Sequence, residues 1–140
     1  MSRVFWDTNL FIYLFEGRGR FAERVADLRA RMLERGDQLF TSALTLGEVL
    51  VKPIEARDEA LTARWHAAIA ETAVVVPFSL EAAPIYARIR SDRTVRAPDA
   101  IQLACAASSA IDLFITNDER LARRTVPGIQ FISSLERAFL

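Results

Sequence analysis

The chain reads as an α/β protein with a short parallel sheet covered by helices on both faces. Three observations predict this class. The segments suited to strands are very short and largely apolar throughout, as in Val4-Phe5-Trp6, Val74-Val75-Val76 and Leu113-Phe114-Ile115. Runs without polar alternation belong to strands buried on both sides. Longer stretches with apolar residues every three or four positions separate them, which is the pattern of crossover helices. Such crossovers are right-handed. Finally, 140 residues suit one domain, taken as residues 1–140. A chain of this mass buries about two thirds of its extended surface, leaving roughly 7,300 Å² exposed.

The elements follow in order. Val4 to Trp6 is the first strand, and Asp7-Thr8-Asn9 leads from it into an apolar helix, Leu10 to Phe15. Gly17 and Gly19 break that helix. Phe21, Val25, Leu28 and Met32 mark an amphipathic helix to Arg35, closed by Gly36. Gln38 to Thr41 is the second strand, and Ser42 to Leu50 a helix that Pro53 ends or bends. Asp58 to Glu71 is helical, with Leu61, Trp65, Ala68 and Ile69 as its stripe. Val74 to Val76 is the third strand, stopped by Pro77. Ser79 suits the cap of a helix through Ile85, Tyr86 and Ile89. Pro98-Asp99 opens a small-residue helix, Ala100 to Ser109. Leu113 to Ile115 is the fourth strand, followed by a short helix from Glu119 to Arg124. Gln130 to Ile132 is the fifth. Ser133 and Glu136 have capping-box spacing for a last turn.

Composition removes several functional classes. The chain is 51% apolar and carries 18 basic against 18 acidic residues, which excludes a disordered tail and a generally basic nucleic-acid binder. The one cysteine, Cys105, forms no internal disulfide, so a stapled secreted module is not expected. No stretch approaches a membrane span or a secretory leader, and a cytoplasmic location is expected. Of the basic residues only Lys52 is not arginine, and arginine makes fork-like contacts with phosphate.

Four acids stand where an α/β sheet places its ligands. Asp7 and Asp118 follow buried strands, Asp99 starts a helix, and Glu48 lies on the helix after the second strand. Ligands of open parallel sheets bind beyond the carboxyl ends of the strands. Gathered there, the acids repel: two carboxylates at ~5 Å cost about 3 kcal/mol at an effective dielectric of 20. Either some are protonated or a cation neutralises them. An all-oxygen set without histidine or cysteine suits Mg²⁺ or Mn²⁺, and the chemistry implied is phosphodiester hydrolysis. The same positions also suit plainer roles. Asp7 and Asp118 are placed to cap helices, and Asp99 to sit in a first turn favoured by the helix dipole. Glu48, mid-helix among Leu44, Leu46, Val49 and Leu50, has no capping explanation.

Four segments in order, FWDTNLFIYL (5–14), TSALTLGEVLVKP (41–53), APDAIQLACA (97–106) and FITNDERLAR (114–123), resemble the PIN-domain ribonucleases. Within them the chain is most similar to the VapC-type toxins of toxin–antitoxin pairs. The resemblance covers nearly the whole chain. It implies a three-layer α/β/α PIN-like fold with a short parallel sheet of about five strands. It implies a Mg²⁺- or Mn²⁺-dependent endoribonuclease whose acidic quartet falls on Asp7, Glu48, Asp99 and Asp118. Asp7 and Asp99 would be direct ligands, Asp118 a direct or water-mediated one, and Glu48 a ligand or the group that positions the attacking water. In-line attack leaves a 5′-phosphate and a 3′-hydroxyl. Thr8, Asn9, Thr116 and Asn117 are the expected supporting residues, orienting carboxylates or a bound water. Glu119 is a candidate fifth carboxylate, with a solvated first-turn residue as the plainer reading, and His66, beside Trp65, reads as a surface or partner residue rather than a general base.

Arg88, Arg90, Arg93 and Arg96 precede Asp99 closely and are candidates for holding the RNA backbone, with a solvated helix end as the plainer reading. The resemblance further implies a homodimer and a small antitoxin lying across the groove. Operator DNA is then met only through the antitoxin, and no membrane is involved. The run Leu10 to Phe15, apolar on every side, makes the N-terminal helices the expected partner surface. Two alternatives stand beside this: a PIN-domain RNA-processing nuclease outside toxin–antitoxin systems, and a non-catalytic protein-interaction module.

Overall fold

A computed structural model of the chain describes residues 1–138 and 140. Five strands form one sheet: β1 (Arg3–Trp6), β2 (Gln38–Ser42), β3 (Val74–Val76), β4 (Ile111–Thr116) and β5 (Ile129–Ser134). All pairings are parallel, in the order β3-β2-β1-β4-β5. The described helices are α1 (Thr8–Glu16), α2 (Gly19–Arg35), α3 (Ala43–Glu55), α4 (Glu59–Thr72), α5 (Ala82–Arg90), α6 (Ala97–Ser108) and α7 (Glu119–Ala122). None of them is long and apolar enough to cross a membrane.

The period-2 alternation of the strands divides the core into two layers. Val4 and Trp6 of β1, with Leu39, Leu113 and Ile115, face α1–α4 through Leu10, Phe11, Val25, Met32, Val49 and Ile69. Phe5, Phe40 and Phe114 face the other way, onto Leu103, Cys105, Ala106 and Ala107 of α6 and Ile85 and Ile89 of α5. Phe5 and Phe114 are register partners and stack at 5.0 Å. The result is the three-layer α/β/α arrangement. Cys105 is buried, and burial pushes its thiol up to about 11, so it packs as a small apolar group.

Several expectations change in detail. α3 runs two residues beyond Pro53. Near a C-terminus the proline forfeits one ladder bond, its ring is buried, and the Ala56 amide still bonds to the Lys52 carbonyl. Ser79 does accept a bond from the Ala82 amide, but only a turn lies between them and α5 begins at Ala82. α7 is four residues long rather than extending to Arg124. The last turn is held by Ser134, not Ser133, because β5 continues through Ser134, whose Oγ accepts from the Arg137 amide.

The apolar run of α1 is also explained internally. Phe11 packs on Trp6 at 5.2 Å, Tyr13 on Phe21 at 5.0 Å and Phe15 on Trp65 at 5.4 Å. Leu10 and Phe11 are fully buried, and Ile12 to Phe15 are half-buried. The sheet, α2 and α4 therefore cover most of this helix. Gly17 ends it in the left-handed conformation at φ 67°.

Candidate active site

In the order β3-β2-β1-β4-β5, the chain leaves β1 toward one side of the sheet and returns to β4 on the other. A crevice therefore opens beyond the carboxyl ends of β1 and β4. A cleft of about 510 Å³ lies there, lined by Asp7, Thr8, Asn9, Glu48, Arg96, Asp99, Gln102 and Asp118, with Ile12, Val51 and Pro98. All four sequence-predicted acids thus share one cleft.

Capping and cleft lining turn out to be compatible. Asp7 is the N-cap of α1, its Oδ1 accepting from the Thr8 amide at 2.8 Å. Asp118 is the N-cap of α7, its Oδ1 accepting from the Arg120 and Leu121 amides. Asp99 lies in the first turn of α6. In a parallel sheet the helices start where the strands end, so helix-start carboxylates collect at one edge. Glu48 comes from the second turn of α3 and is exposed along the cleft, not buried among its leucines.

Asp7 is 8% exposed. Burial pushes its carboxyl above the usual carboxylate range; Asp99 and Glu48 push the same way, against hydrogen bonds from Thr116 and the Thr8 amide. Asp99 is raised too, by burial first and by Asp118 as well, with Arg96 opposing. The Arg96 Nε lies 3.6 Å from Asp99 Oδ2, with the arginine side chain 73% exposed. Among the described residues no three acids converge closely enough to form a ready cation cage. They line walls instead. Such a set fits a hard dication that keeps part of its water shell and takes only one or two carboxylates directly, as Mg²⁺ does. The donor chemistry is all oxygen, and the mutual repulsion of the carboxylates is what a cation would relieve.

The supporting residues divide. Thr116 Oγ1 donates to Asp7 Oδ2 at 2.8 Å and accepts from the Asp118 amide at 3.1 Å, joining two acids. Thr8 Oγ1 donates to Glu48 Oε1 at 2.7 Å. Asn9 lines the cleft and is exposed. Asn117 turns away: its Nδ2 donates to the Tyr13 hydroxyl at 2.8 Å and ties the β4 end to α1. Glu119 is exposed and outside the cleft lining, and His66 is exposed on α4. Of the four arginine candidates only Arg96 lines the cleft. Arg88 and Arg93 are exposed elsewhere, and Arg90 donates to the Val95 carbonyl at 2.8 Å, stapling its own loop.

Sequence reading missed Gln102. It is 2% exposed, and its Nε2 donates to Thr45 Oγ1 at 2.7 Å and Thr8 Oγ1 at 3.0 Å, with Asp7 Oδ1 at 3.4 Å. Its Oε1 accepts from Ser42 Oγ, which in turn accepts from the Thr45 amide at 3.2 Å. Thr8 spends its proton on Glu48, so Thr45, 3.1 Å away, donates to Thr8. The chain of donors runs Gln102, Thr45, Thr8, Glu48. The available signal was a lone amide in an otherwise small and apolar run, three residues after Asp99.

A family model, PIN domain, matches residues 4–126. A toxin–antitoxin complex from Klebsiella pneumoniae contains a chain 26% identical at TM-score 0.63, covering 91% of this chain and 95% of that one. VapBC2 from Rickettsia felis bound to a DNA fragment from its promoter is 12% identical at TM-score 0.73, covering 94% and 97%. DNA-bound VapBC from Salmonella typhimurium is 22% identical at TM-score 0.66, covering 96% and 99%. No curated protein matches the chain.

Proposed function

The chain belongs to the PIN-domain family, and from that premise we propose that it is the endoribonuclease toxin of a toxin–antitoxin pair. As such it is a single PIN domain, residues 1–140, that hydrolyses RNA phosphodiester bonds with Mg²⁺ or Mn²⁺ in the cytoplasm. The observation that carries the reading is the meeting of Asp7, Glu48, Asp99 and Asp118, from four separate elements, on one cleft.

Asp7 and Asp99 would hold the ion, with Asp118 and Glu48 reached directly or through water. A bound dication supplies charge neutralisation, polarisation of the scissile phosphate and a lowered pKa for water. The protein residues do the positioning. Thr116 and the Thr8 amide fix both oxygens of Asp7, so the carboxylate does not rotate. Two amides fix Asp118 Oδ1. Thr8 holds Glu48 Oε1, leaving Oε2 to orient a water. Arg96, loosely paired and exposed, exchanges Asp99 for a substrate phosphate.

The partner is a small antitoxin, as in the toxin–antitoxin complexes that resemble this fold. Val51 at the cleft rim and Ile54 one turn further along α3 are 50% and 59% exposed, apolar ground for an antitoxin segment lying beside the acids. The toxin is a homodimer, and promoter DNA is contacted through the antitoxin.

The test is purified chain on single-stranded and structured RNA with Mg²⁺, with Mn²⁺ and with EDTA. Cleavage is expected with either ion and none with EDTA. Asp7→Asn and Asp99→Asn, shown folded by circular dichroism, are expected to lose more than about 100-fold in rate. Cleavage indifferent to EDTA and to both substitutions would sink the mechanism.

A further inference from the structure

Beside the catalytic cleft lies a second, smaller hollow of about 130 Å³. Its walls are Thr94, Val95, Arg96, Asp99, Asp118, Arg120, Leu121 and Arg124. Arg96, Asp99 and Asp118 line both hollows, so the two adjoin across the same acids. Their charge differs. The cleft holds four carboxylates against one arginine, whereas the second hollow holds three arginines against two of those shared carboxylates.

The three arginines are held differently. Arg124 is fixed: its Nη1 donates to Asp92 Oδ2 and its Nη2 to Thr94 Oγ1, both at 2.9 Å. Arg96 is loosely paired with Asp99. Arg120 is exposed and has no ion-pair partner among the described residues. A nucleic-acid strand entering the acidic cleft is repelled by four carboxylates until a cation intervenes. Its affinity must come from charge set to one side of the reacting group. Arg96 is the one basic residue among those lining the cleft, and Arg120 and Arg124 join it in the second hollow, so that hollow is where the charge stands.

We infer that the hollow walled by Arg96, Arg120 and Arg124 is a second phosphate subsite, which takes the phosphodiester group next to the one at the carboxylates. This rests on the ribonuclease reading above and adds a direction to it. The strand runs across the acids to the arginines. It also moves the basic rim from Arg88, Arg90 and Arg93 to Arg120 and Arg124, which lie after the fourth acid instead of before the third.

The experiment measures binding of a fluorescein-labelled random-sequence RNA decamer by anisotropy over a salt series. It is done at one fixed Mg²⁺ concentration on the Asp7→Asn chain, with the length of the decamer checked afterwards on a gel. Each phosphate contact to a single strand contributes about 0.7 to the slope of log affinity against log salt. Arg120→Ala is expected to lower that slope by about 0.7, Arg120→Lys to keep it, and Arg64→Ala, an exposed arginine of α4 lining neither hollow, to leave it unchanged. Arg124→Ala is expected to lower it as well. An unchanged slope in Arg120→Ala, an equal loss in Arg64→Ala, or no binding by the Asp7→Asn chain would each overturn the subsite. Cleavage of the same decamer by the unsubstituted chain with Mg²⁺ or Mn²⁺ reports separately on the ribonuclease reading. A slope that falls without cleavage leaves the subsite and removes the nuclease.

Discussion

At the scale of single residues, the site depends on polar groups that never touch solvent. Ser42, Thr45, Gln102 and Thr116 are all at most 2% exposed, yet they set the direction in which Asp7 and Glu48 point. Buried networks of this kind are worth keeping only when every member is satisfied. Gln102→Leu would leave Ser42, Thr45 and Thr8 each short of a partner, at about 1–3 kcal/mol for a buried unsatisfied group. It is expected to lower the melting temperature and to reduce kcat about 10–100-fold with little change in KM, read from steady-state kinetics on RNA. Gln102→Asn, too short to reach all partners, should not restore the rate. The four acids were legible in sequence because helix starts after apolar strands are recognisable. Gln102 was not, because an amide in a helix usually faces water, and a lone amide in a small apolar run does not say which partners it will meet. Asn117 misled for a related reason: its neighbours Thr116 and Asp118 both face the acids, but its own side chain turns to Tyr13.

At the scale of elements, strands were legible where burial is complete and their ends were not. β4 extends two residues before and one after its apolar core Leu113-Phe114-Ile115, because ladder bonds continue wherever a neighbouring strand is present. α3 passed Pro53 because the proline ring is buried and the ladder resumes just after it, at the bond from the Ala56 amide to the Lys52 carbonyl. The turn before β5 shows the opposite case, a position with no tolerance. Gly128 has φ 99°, and a Cβ placed on it would lie 2.7 Å from the Ala107 carbonyl oxygen. The Gly128 carbonyl also accepts from the Ile111 amide, holding the start of β4. Gly128→Ala combines backbone strain with a clash against helix backbone. It is expected to destabilise by about 1–3 kcal/mol or more, measured as a lower denaturation midpoint in urea at unchanged slope. A midpoint equal to that of the unsubstituted chain would show that the α6 end gives way freely.

At the scale of the whole molecule, balanced charge conceals segregation. The 18 acids and 18 bases cancel in sum, yet four carboxylates line one cleft while arginines gather beside it. The accessible surface, 8104 Å², is about a tenth above that expected for the mass, and Val51, Ile54, Phe78, Leu80 and Phe131 are exposed on it. Burial of two acids sets the sign of their contribution to stability. Asp7 and Asp99 bind protons more readily folded than unfolded. At these two sites the folded state therefore holds more protons, and their contribution to stability is full below the ordinary carboxylate range and is lost as pH rises through their raised values. Without divalent cation, the melting temperature is expected to be higher in mild acid than near neutrality from these two groups, and Asp7→Asn to flatten that fall. Added Mg²⁺ should raise the melting temperature near neutrality for the unsubstituted chain more than for Asp7→Asn. Differential scanning calorimetry across pH checks all three. A midpoint that rises steadily with pH in the absence of metal would contradict the sign.

The strand order has a temporal consequence as well. β1 and β4 are neighbours in the sheet, but Asp7 and Asp118 lie at nearly opposite ends of the polypeptide. A chain emerging amino end first presents Asp7 and Glu48 early, with half of the cleft's wall still unsynthesised. Thr116, which fixes Asp7, arrives only when β4 pairs with β1. Until then the first strand has one flank unpaired and its terminal carboxylate unheld. The cleft is therefore absent from every shorter nascent chain. Its wall is complete only once β4 and Asp118 have left the ribosome.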